Sequence, residues 1–120
     1  MKENVIRQKS FQFAVDIVNL HKHIQRDNKE YILSKQLVRS GTSIGACVRE
    51  ALNAETKPDF IHKFGIAQKE CGETEYWLAL LQATDYITFD QMDEMLNKNE
   101  EFMRLIRSII ITSKKNLNKE

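Results

Sequence analysis

The sequence predicts an all-α protein, an up-down-up-down antiparallel four-helix bundle. Three observations point there. Four glycines and one proline in 120 residues are too few for the many turns of an all-β sandwich or barrel. Three short polar breaks divide the chain into four segments of roughly 22 to 30 residues. Each segment repeats its apolar residues at helical spacing.

The first segment, about residues 4–26, carries Val5, Ile6, Phe13, Ala14, Ile17, Val18, Leu20 and Ile24. Its pattern lapses at Arg26-Asp27-Asn28-Lys29. The second, about 30–55, steps alternately by four and three through Leu33, Leu37, Ser40, Ile44, Cys47, Ala51 and Ala54. It ends at Thr56-Lys57-Pro58-Asp59, where a capping threonine, a first-turn proline and an acid three residues after the cap start a helix. The third, about 58–85, steps in the same way through Phe60, Phe64, Ala67, Cys71, Thr74, Leu78 and Leu81. After Asp85-Tyr86-Ile87, Thr88-Phe89-Asp90-Gln91 repeats the capping spacing. The fourth, about 88–117, repeats every seven residues at Leu96, Met103, Ile110 and Leu117, flanked by Phe102, Ile106 and Ile109. Alternating steps of three and four form the seam of helices crossing near +20°. Short connections make successive helices antiparallel neighbours, so residues 1–120 form one bundle domain.

Balanced charge and 42% apolar residues argue against disorder. The apolar runs are shorter than the ~18 residues of a membrane span, and the first residues have no signal-peptide core. A cytoplasmic protein without membrane partners is expected. Cys47 and Cys71 lie on apolar stripes with no CxxC spacing and read as reduced core thiols.

Two features depart from a simple stripe. Arg39-Ser40-Gly41-Thr42-Ser43-Ile44-Gly45-Ala46 places two glycines mid-helix, each costing ~1 kcal/mol against alanine. Close approach of another helix backbone would offset that cost. A phosphate loop would need GxxxxGK[ST] after a strand, and neither is present. In the third helix Ile66, Glu70, Glu73, Trp77 and Leu80 form a second stripe about 100° from the first. Ile66, Trp77 and Leu80 are read as a subunit interface rather than a broad core margin.

Catalytic and metal constellations are not visible. His21 and His23 point to different sides of a helix, and Asp59-x-x-His62 occurs once where a di-iron bundle needs the motif twice. Glu70, Glu73 and Glu75 are read as partners for arginine, with Arg39 available on the neighbouring helix. No enzyme activity, metal or cofactor is expected.

Charge is more informative by position than in total, which is +1. In the predicted topology one pole collects Lys2, Arg7, Lys9, Arg49, Lys57, Lys63, Arg104, Arg107, Lys114, Lys115 and Lys119. Its acids are Glu3, Glu50, Glu55, Asp59 and Glu120, so eleven bases against five acids leave +6; seven bases against twelve acids leave −5 at the other pole. Helix dipoles favour Lys114 and Lys115 at a C-terminus, but not bases near the start of the first helix. A basic pole is the footprint of phosphate-backbone contact, assigned to Arg7, Lys9, Arg49, Lys57, Lys63, Arg107, Lys114 and Lys115. Only Phe11 and Phe60 stand among these bases, so single-strand base reading is not indicated.

Ser10-Phe11-Gln12-Phe13-Ala14, Leu33-Ser34-Lys35-Gln36-Leu37, the run from Arg39 to Ala46 and Arg49-Glu50-Ala51 together resemble the bacterial four-helix-bundle family of 23S rRNA intervening-sequence proteins. Asp59-Phe60-Ile61-His62-Lys63 and Lys69-Glu70-x-x-Glu73-Thr74-Glu75-Tyr76-Trp77-Leu78 extend the resemblance across residues 5–87, with the last helix similar in pattern. The resemblance implies a homopentameric ring and a gene sometimes located within 23S rRNA intervening sequences, with no established biochemical role. A related branch, the accessory protein of diversity-generating retroelements, is a basic pentamer that binds nucleic acid and reverse transcriptase. This chain departs from that branch in its near-zero net charge. Two functions follow: an oligomeric RNA- or DNA-binding bundle, or a protein-interaction scaffold whose ring binds a partner protein.

Overall fold

The computed structural model describes residues 2–119, with Lys2 as backbone only. Met1, Glu120 and the Lys2 side chain, which entered the expected domain and basic pole, lie outside the described residues. Four helices follow in order: α1 Lys2–Asn28, α2 Leu33–Leu52, α3 Lys57–Ala83 and α4 Phe89–Lys119. They form an elongated all-α bundle of 53 × 21 × 21 Å. Each helix packs along the next in sequence, while α1 and α4 touch over much less of their length. Cross-helix contacts run in opposing register: Lys9 to Glu101 and Asp16 to Lys98, Glu50 to Lys63 and Arg39 to Glu73. Neighbouring helices are therefore antiparallel.

The ends of the helices differ from the expected ranges for local reasons. The first helix continues to Asn28 and stops where Lys29 adopts a positive φ of 53°. The second starts at Leu33 rather than 30, because Glu30 is used as its cap. The Glu30 carboxylate accepts from the N–H groups of Ile32 at 3.0 Å and Ser34 at 2.8 Å. Partial burial pulls the Glu30 pKa upward, but the backbone donors of Ser34, Leu33 and Ile32 prevail and hold it below the ordinary carboxylate range. That helix stops at Leu52, where the Asn53 side chain donates to the Arg49 carbonyl at 3.0 Å. The third helix closes with a Schellman turn: Tyr86 N–H bonds to the Leu81 carbonyl at 2.9 Å and Asp85 N–H to Gln82 at 3.0 Å. Asp85 occupies the left-handed position, φ 68°.

Both expected caps form. Thr56 accepts from Asp59 N–H at 3.2 Å, and Thr88 and Gln91 bond reciprocally at 2.8 and 3.1 Å. The core follows the expected stripes closely in α2 and α3, through Leu37, Ser40, Ile44, Ala51, Phe64, Ala67, Cys71, Thr74, Leu78 and Leu81. In α4 the stripe is displaced. Met95, Asn99, Phe102, Ile106 and Ile109 are buried, whereas Leu96, Met103, Ile110 and Leu117 are half-buried. An apolar count passes over the true centre of this face because Asn99 holds it, donating to the Cys71 carbonyl at 2.9 Å.

The paired glycines bring α2 onto α1. A Cβ on Gly45 would lie 3.2 Å from the Ser10 carbonyl oxygen, a backbone atom. A Cβ on Gly41 would lie 2.9 and 3.0 Å from the two γ-carbons of Ile17, whose β-branched side chain has little rotamer freedom. Gly41→Ala should therefore destabilise the fold by about 1 kcal/mol, overpacking outweighing the ~1 kcal/mol helix-propensity gain. Urea denaturation checks this, and Ile17→Ala, which removes both γ-carbons, should cost less in the Gly41→Ala background than in the parent chain. An unchanged midpoint would refute tight packing there.

Candidate nucleic-acid interface

The eight bases assigned to phosphate contact fall into distinct environments. Lys9 is bound by Glu101 across the α1–α4 seam. Lys63, half-buried, lies 3.3 Å from Glu50. Lys57 is half-buried in the first turn of α3, beside a groove of about 400 Å³ that also touches Glu3, Glu55 and Asn116. The side chains of Arg7, Arg49, Arg107, Lys114 and Lys115 are exposed, with no acidic partner among the described residues; Arg104 shares that condition.

These exposed bases occupy the same end of the molecule on three helices. Arg7 is near the start of α1, Arg49 in the last turn of α2, and Arg104, Arg107, Lys114 and Lys115 follow the C-terminal half of α4. One pair is in direct contact: the Arg49 guanidinium lies 5.3 Å from the centroid of the Phe11 ring, within cation–π range. Phe11 remains 55% exposed. Phe60, the other aromatic residue counted among these bases, is half-buried and meets Phe64 edge-on at 4.8 Å.

Of the three carboxylates read as partners for arginine, Glu70 and Glu73 have one, whereas Glu75 is exposed with no basic partner among the described residues. Arg39 bonds to Glu73 and lies 3.4 Å from Glu70, which is only 8% exposed. Hydrogen bonding to Glu73, helped by the charge on Glu70, raises the Arg39 pKa. Burial pushes the Cys71 thiol up to about 12 and also raises Cys47, so neither thiol is activated as a nucleophile. His23 lies 3.0 Å from Asp27, and no group of three or more His, Cys, Asp or Glu among the described residues is arranged for a metal ion. No described helix is long and apolar enough to cross a membrane.

The residues expected to form an interface, Ile66, Trp77 and Leu80, are half-buried on α3. Trp77 packs against the core and meets Tyr76 edge-on at 5.0 Å. Sequence spacing overlooked the adjacent outer face of the same helix. Gly65 and Gly72, seven residues apart, have nothing within 4 Å of where a Cβ would sit, and Tyr76 is 60% exposed. A groove of about 500 Å³ runs beside Gly72 and Tyr76, between Gln36 and Arg39 of α2 and Lys69 and Trp77 of α3.

A family profile described as 23S rRNA-intervening sequence protein matches residues 2–108. A crystal structure from Bacteroides thetaiotaomicron VPI-5482, of a protein with unknown function from the S23 ribosomal protein family, is similar in fold and sequence. It is 53% identical with a TM-score of 0.90, over 92% of this chain and 98% of that one. No curated protein matches the chain.

The Arg39 contacts make a direct prediction. Arg39→Met should cost about 1–2 kcal/mol in chemical denaturation, mainly because Glu70 is left buried without its counter-charge; the half-exposed arginine itself contributes little. Glu70→Gln in that background should recover most of the loss. Equal damage in the single and double variants would place the effect elsewhere.

Proposed function

We propose that this chain, which belongs to the family of 23S rRNA-intervening sequence proteins, is a non-enzymatic oligomeric bundle that holds RNA or DNA by its phosphate backbone. The observation carrying this reading is the contrast between two sets of bases. Lys9, Lys63 and Lys98 are bound to acids on neighbouring helices, while Arg7, Arg49, Arg104, Arg107, Lys114 and Lys115 are exposed with no such partner among the described residues. Exposed cations held on rigid helices can displace the counterions condensed on a polyanion, and this release supplies affinity. An assembly of several copies would repeat the contact and multiply weak individual sites.

Self-association through the outer edge of α3 fits the same picture. Gly65 and Gly72 each give up ~1 kcal/mol of helix propensity without an intramolecular contact that needs them. A second helix backbone approaching that face would supply the missing gain, with Tyr76 and the Ile66–Trp77–Leu80 stripe at its margin. A ring, the homopentamer above all, is the assembly we favour.

Filter binding to a structured RNA across a salt series tests the first part. Affinity should fall linearly with log salt, and Arg107→Gln should reduce the slope by about 0.7–0.9 on any sequence. Absence of salt-dependent binding at low ionic strength would exclude it. For the second part, Gly72→Leu should fold normally and sediment at a lower mass than the parent chain in analytical ultracentrifugation. Identical masses would remove this face from any interface.

A further inference from the structure

We propose that Phe11, flanked by Arg49 and Arg7, is a stacking platform for an unpaired base of a single-stranded nucleic acid. The inference rests on the nucleic-acid reading above and adds the strand class. The few aromatic residues among the bases did not indicate that class in the sequence, but the exposed Phe11–Arg49 contact does. Phe11 is more than half exposed, in the exposed part of α1, one turn after Arg7. The fold leaves this apolar surface in water, and a ring exposed beside two cations suits a planar, apolar ligand that carries negative charge.

The local geometry supports that ligand chemistry. The Arg49 guanidinium lies over the ring, 5.3 Å from its centroid, so its positive charge backs the platform from one face. Neither Arg49 nor Arg7 has an acidic partner among the described residues, so both remain able to meet phosphates on either side of a stacked base. The position is also held firmly. Ser10, next to Phe11, is buried with its carbonyl against Gly45, and Gly45 is one helical turn before Arg49. The contact between the two backbones therefore sets the guanidinium against the ring. In a duplex the base faces are covered by their neighbours, whereas a single strand presents them freely. Phe60, the other candidate counted from sequence, is committed to Phe64 and cannot serve.

Fluorescence anisotropy with labelled U20 RNA, T20 DNA and a 20-base-pair RNA duplex tests the proposal on the full chain. Phe11→Ala should weaken single-strand binding about tenfold, with duplex affinity and the salt slope unchanged. Phe11→Tyr should restore the affinity. Loss on U20 alone would assign the platform to RNA, and equal losses to either strand. If the parent chain binds and Phe11→Ala binds single strands equally well, the platform is refuted while phosphate contact stands. If the parent chain binds none of the three probes, both readings fall. A lower sedimenting mass for Phe11→Ala would instead make Phe11 a contact between copies and overturn the proposal.

Discussion

The close approach of α1 and α2 is the constraint on which the rest of the molecule depends. Two helices carrying ordinary side chains along their seam keep their axes 8–10 Å apart. At Gly41 and Gly45 that spacing is reduced until even a methyl group would press on Ile17 or on the carbonyl of Ser10. Removing two side chains forfeits helix propensity locally, yet it lets Ile17, Ile44 and Val48 become fully buried in one continuous core. It also fixes rotation. With Ser10 turned inward against α2, Phe11 is carried outward to the edge that Arg49 reaches.

Polar groups set the register of the remaining helices. Ser40, Thr74 and Asn99 are buried on three different helices. Thr74 lies 3.1 Å from the Ser40 hydroxyl and donates to the Glu70 carbonyl at 2.8 Å, while Asn99 donates to the carbonyl of Cys71. Sliding α3 against α4 by a turn would strand the Asn99 amide in an apolar interior at roughly 1–3 kcal/mol. Sliding α2 against α3 would break the Ser40–Thr74 contact, although both hydroxyls keep a carbonyl of their own helix. An apolar core alone tolerates such slippage more readily. The Asn99 side-chain oxygen lacks a partner, so this layer favours one register without being fully satisfied.

Most of this architecture was legible because it depends on local chemistry. Threonine caps, the proline after Thr56 and the alternating steps of α2 and α3 all act within a few residues, and each appears where its spacing places it. The glycine pair was readable for a related reason: a glycine inside a helix has a definite cost, and the offsetting contact had to exist. The α4 seam was less legible, since Asn99 supplies a buried polar position where periodicity searches for an apolar one. The start of α2 was likewise obscure, because Glu30 caps it from outside through a side chain long enough to reach two N–H groups.

The candidate site was only partly legible, and the reason is electrostatic. Counting bases by bundle end treats Lys9, Lys63 and Arg107 alike, although their surroundings differ completely. Lys9 and Lys63 face acids across a helix boundary; Arg107 faces outward. Lys98 shows the same division, its pKa raised mainly by the hydrogen bond to Asp16 on α1. Cross-helix pairing needs residues brought together by packing, which sequence order does not display. The two populations also respond differently to salt. Half-exposed pairs contribute only about 0–1 kcal/mol each, so screening them leaves a bundle with this core folded. The polyanion contact proposed for the unpaired set would instead weaken as salt rises, because counterion release then yields less. Salt would therefore separate the proposed adhesion from stability, because the charges that join the helices and those that face outward are different residues.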